Sequence, residues 1–87
     1  MTTYRSVAYL TTAQRARFDF VEAQARETVE AIVGDTAAFV AGADIQEVAS
    51  DHVAATIAIE NLHDWAGMFT ERVLAMLTEL GYKDVIL

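Results

Sequence analysis

DIQEVASDHVAATIAIENLHDWAGMFTERVLAMLTEL, residues 44–80, decides the fold of this 87-residue chain. Within it Val48, His52, Ala55, Ile59, Leu62, Ala66, Phe69, Val73, Met76 and Leu80 follow one another by steps of four and three, the spacing of one helical stripe. No proline interrupts the run, and Leu80-Gly81 offers a glycine stop. Over Asp51 to Leu80 alone, such a helix is about 45 Å long at ~1.5 Å per residue. The spacing predicts one long helix over about residues 44–80, opened by a capping box in which Asp44 and Glu47 precede Val48.

Upstream, Thr11-Thr12-Ala13-Gln14 is a second capping box, with Thr11 placed to accept from the Gln14 amide and the Gln14 side chain to reach back. Phe18, Val21, Ala25, Val29, Ile32 and Val33 continue through Thr36 to Phe39 and Val40 at the same three-four spacing. The stripe stays in phase across Gly34, so this helix is expected to run from about Thr12 to Ala41. Gly42-Ala43-Asp44 then turns the chain at about residues 42–44. The Thr2 to Leu10 stretch, aromatic and β-branched but only loosely alternating, reads as a short extended segment. After Gly81 the tail over residues 82–87 is read as extended too, and Val85-Ile86-Leu87 needs cover from water. The expected fold is all-α: one domain, an antiparallel two-helix hairpin with short extended N- and C-terminal segments, completed into a four-helix bundle by dimerisation.

The dimer follows from composition around the second helix. Val53, Ile57 and Met68 lie opposite the main stripe, so the first half of the long helix is apolar on both faces. A hairpin has no third long helix to cover the second face, which points to self-association or to another protein. Phe20 interrupts the otherwise polar back of the first helix. Phe20, Val53, Ile57 and Met68 form the candidate interaction face, with Gly67 allowing close backbone approach.

Thirteen acidic against six basic side chains repel nucleic-acid phosphate, and Arg15, Arg17 and Arg26 lie close to Asp19, Glu22 and Glu27. No nucleic acid is expected as a partner. Charge-free runs such as Thr36 to Ala43 and His52 to Ile59 fall well short of the roughly 18 residues a membrane span needs. With no signal-peptide pattern at Met1 to Leu10, a cytoplasmic location is expected. There is no cysteine to form a disulfide or a thiolate metal site.

Glu60-Asn61-Leu62-His63 is Glu-x-x-His, a spacing that on a helix can place a carboxylate and an imidazole on one metal ion. In an antiparallel hairpin Glu30 comes to a similar height. The set Glu30, Glu60 and His63 resembles the ligand set of encapsulated ferritin-like proteins, small two-helix chains that hold iron between subunits. That resemblance implies an alternative reading as an iron-binding module whose site a symmetric dimer assembles. Against it stands the solvated face on which Glu30 and Glu60 fall in the helical projection. His52 reads as a boundary histidine, and Trp65, Phe69 and Tyr82 as core. Neither Ser6 nor Ser50 is tied by pattern to a histidine base, and the four glycines stand singly, so no phosphate loop forms. No enzyme activity and no cofactor are expected. The function expected is a small acidic protein–protein interaction module, structural or adaptor in role; an acidic inhibitor seated on a basic surface of a target is a further alternative.

Overall fold

The computed structural model describes residues 11–38 and 45–87. Three α-helices order the chain: α1 over Thr12–Ala38, α2 over Ile45–Ile59 and α3 over Ala66–Glu79, with a 3-10 turn at His63–Trp65 leading into α3. The expected extended segment at residues 2–10, the last turn of the first helix and the reversal at 42–44 lie outside the described residues.

α1 begins as its sequence directs. The Thr11 amide donates to Gln14 Oε1 at 3.0 Å and the Gln14 amide donates to Thr11 Oγ1 at 3.1 Å, the reciprocal capping box. The helix passes through Gly34 without interruption. A Cβ added there meets nothing within 4 Å. Gly34→Ala is therefore expected to raise stability by about 0.5–1 kcal/mol, since alanine loses less backbone freedom on folding. A thermal melt of the variant followed by circular dichroism measures it.

The long second helix is not continuous, which corrects the two-helix hairpin. α2 ends at Ile59, and Asn61 takes a left-handed conformation with φ 55°. The Leu62 amide then donates back to the Ile57 carbonyl at 2.9 Å, the six-to-one bond of a Schellman stop. Asparagine is the residue that most readily stands in for glycine at such a position. Leu62, next in the chain, is fully buried. Here lies the physical reason for the break: an unbroken helix of 37 residues would be about 55 Å long and outrun the ~40 Å of α1, leaving its far end uncovered. Folding back at Asn61 lets α1 shield both halves. α3 ends by the same device at the glycine the sequence offers, with Gly81 at φ 102° and the Tyr82 amide donating to the Leu77 carbonyl at 2.9 Å.

The arrangement is up-down-up. Glu22 of α1 meets Arg72 of α3, Thr28 of α1 meets Thr56 of α2, and Gln46 at the start of α2 meets Ile86 beyond α3. Both α2 and α3 pack along α1, whereas they touch each other little. The core takes Val21, Ala25, Val29 and Ile32 from α1, Ala49 and Val53 from α2, Phe69, Val73 and Leu77 from α3, and Leu62 and Val85 from the connections. The α1 stripe is the expected one. The stripe of the second half holds in part: Leu62, Phe69 and Val73 are fully buried, but Ile59 is 77% exposed and Leu80 59% exposed, while Val53 and Leu77, which lie off that stripe, are buried. A left-handed residue resets the rotation of the chain, so α2 and α3 each set their own buried face and a phase carried across Asn61 has no meaning.

The tail docks without helix or strand. Val85 is buried and Leu87 packs against the core, while Ile86 between them faces outward. The Ile86 amide donates to Gln46 Oε1 at 2.7 Å and Gln46 Nε2 donates back to the Ile86 carbonyl. One side-chain amide thus satisfies both backbone groups of a residue that has no sheet neighbour among the described residues.

Candidate interaction surface

α2 is the least polar element. From Val53 to Ile59 it carries no charged side chain anywhere on its circumference, yet only part of that circumference is covered. Ala49 and Val53 face the core, whereas Ala54, Ala55, Ala58 and Ile59 are exposed. A helix apolar all round is ordinarily buried all round.

Between α2 and α3, which touch each other little on the wall formed by α1, lies a groove of about 230 Å³. Ser50, Val53, Ala54 and Ile57 line it from α2, Thr70 from α3, and Leu87 from the docked tail. None of these side chains is charged. The lining is mostly aliphatic, with the Ser50 and Thr70 hydroxyls as its polar points.

Of the four residues expected to form one face, Val53 and Ile57 line this groove. Met68 is buried at 8% exposure. Phe20 is half-buried against the core, with the Arg17 guanidinium carbon 5.0 Å from its ring centroid. That cation–π contact explains an aromatic residue on a polar face. Gly67 has open space around its Cβ position within the chain. The sequence reading missed Ser50, Ala54, Thr70 and Leu87. The signal for Ala54 was present in the charge-free run from His52; for Thr70 and Leu87 there was none, because their place depends on the break at Asn61.

The polar contacts hold the surface in position. Arg17 Nη2 donates to the Asn61 carbonyl at 3.0 Å and lies 3.5 Å from that of Glu60, capping the C-terminus of α2 where the helix dipole gathers negative charge. Thr28 Oγ1 and Thr56 Oγ1 share a hydrogen bond at 3.3 Å in the α1–α2 contact. His52 Nε2 meets Asp35 Oδ2 at 2.5 Å midway along α2, so this histidine ties α2 to α1. Arg72 Nε and Glu22 Oε1 join α3 to α1 at 2.5 Å, each about three-quarters covered.

The Glu30, Glu60 and His63 set is not assembled within the chain. Glu30 is exposed on α1, and Glu60 and His63 no longer share a helix, because the left-handed Asn61 stands between them. The i, i+3 alignment that Glu-x-x-His needs exists only where the backbone stays helical. Among the described residues no group of three or more His, Cys, Asp and Glu side chains could hold a metal ion. No helix among them is long and apolar enough to cross a membrane. Comparison with protein-family models, with curated proteins and with solved structures finds no match to this chain.

Proposed function

We propose that the protein is a small helical protein–protein interaction module whose contact element is α2, and that it works by completing a four-helix bundle with a helix of another chain. The observation that supports this reading is the charge-free, half-covered stretch Val53 to Ile59 beside an open apolar groove. Three helices around one core leave such a groove, and a fourth helix is the element whose packing fills it.

A photo-crosslinking amino acid placed at Ala58, one turn on from Ala54, tests the reading in the source cells. It is expected to give a covalent adduct of one defined mass, with none from the same group at the exposed Glu30 of α1. No adduct from Ala58, or the same adduct from both positions, sinks the proposal. A second copy of the chain is the narrower form of the reading and predicts an adduct of twice the chain mass. In that form the wild type sediments as a dimer at micromolar concentration and Ile57→Glu as a monomer.

A further inference from the structure

The charges around the groove are one-sided. At 100° per residue Glu47 and Asp51 fall within about 60° of Ala54 on α2, and both are exposed. On α3 the exposed Glu71 stands about 100° around the helix from the groove-lining Thr70 and takes no part in the lining. Among the described basic residues, Arg15, Arg17 and Arg26 belong to α1, and Arg72 of α3 meets Glu22 of α1. α2 has no lysine or arginine at all, and Lys83 stands beyond α3 in the tail. An aliphatic floor with an acidic shoulder on the α2 side is therefore what a docking helix meets.

From this charge distribution we infer that the occupant is an amphipathic helix of another protein, with aliphatic side chains on one face and lysine or arginine along the flank that faces α2. The inference rests on the interaction-module reading and names the chemistry of its partner. The volume of about 230 Å³ suits the aliphatic side chains that one helical face presents at i and i+4. The basic flank would meet Glu47 and Asp51, which sets orientation and speeds encounter. A second copy of this chain fits less well: it carries a net charge of −7, and its own α2 would bring acidic residues against an acidic shoulder.

The probes are two synthetic 18-residue peptides, each with leucine on one helical face and either lysine or glutamate on the other. Titrated into the ¹⁵N-labelled protein, the leucine–lysine peptide is expected to shift the amide signals of Ser50 to Ile57, Thr70 and Leu87. Ala54→Arg, which puts bulk and positive charge into the groove at an exposed position, is expected to weaken binding at least about tenfold, and the double reversal Glu47→Lys with Asp51→Lys about as much. Glu27→Lys with Glu30→Lys makes the same change in net charge on exposed positions of α1 and is expected to alter affinity by less than about twofold. Equal binding of the glutamate peptide overturns the inference, as does equal weakening by the α1 reversal, which would mean attraction to net charge alone. A wild-type dimer that Ala54→Arg dissociates overturns it as well, in favour of a second copy. If neither peptide binds while the Ala58 crosslink persists, the module reading stands and the basic-helix inference falls.

Discussion

Leu62→Ala is expected to destabilise the protein by about 2–5 kcal/mol, the range for emptying a fully buried leucine site. Small domains have about 5–15 kcal/mol in all, so the variant would lose a large part of its stability and melt well over ten degrees lower. The position is costly because Leu62 sits fully buried where α2 ends and the chain folds back. Its neighbour supplies a test of sign. With Asn61 at φ 55°, Asn61→Gly is expected to be neutral or slightly stabilising, while Asn61→Ala costs about 1–2 kcal/mol. In an unbroken helix the order reverses, with alanine the better residue by about 1 kcal/mol. Chemical denaturation of the three variants reads both the magnitude and the order.

Leu77→Ala is expected to cost a similar ~2–5 kcal/mol, whereas Leu80→Ala, only one turn away, should fall within about 0.5 kcal/mol of the wild type. The difference follows from exposure: Leu77 is fully buried and Leu80 is 59% exposed. Both substitutions remove the same side-chain atoms, Leu77 from within α3 and Leu80 from its C-cap. A larger cost at Leu80 than at Leu77 would place the α3 stripe in the phase that Met76 and Leu80 suggest by spacing. Thermal melts of the two single variants suffice.

How much of this was legible depends on the element. α1 was readable to the residue at its start, because Thr11 and Gln14 form a pattern whose geometry has one solution, and its stripe from Val21 to Ile32 is the buried one. The all-helical class and the docking of the tail were legible too, from period and from the need to cover Val85. The break at Asn61 was not. Asparagine ends a helix only when the tertiary structure has a use for the left-handed turn, and that use is set by the length of α1, not by anything local to residues 59–62. Once the break was missed, the apolar second face at Val53 and Ile57 looked like a surface lacking any cover, when α3 folds back beside it. The surface residues inherit the same limit: Val53 and Ile57 could be named from their spacing, but Met68 was grouped with them only because a straight helix was assumed, and Phe20 because its polar-face position gave no sign of the Arg17 contact.

The poor direct contact between α2 and α3 carries a consequence for how the molecule opens. α1 is the shared wall, so it cannot detach without uncovering both of its neighbours, and its middle should stay closed until the whole domain unfolds. α2 and α3 are each held to that wall by their own ties, His52–Asp35 and the Arg17 cap for one, Arg72–Glu22 for the other. What joins α2 to α3 directly lies at the two ends, in the buried Leu62 of the joint and the Gln46–Ile86 pair of bonds, so among the described residues the gap between the two helices is bridged at its ends and open along its length.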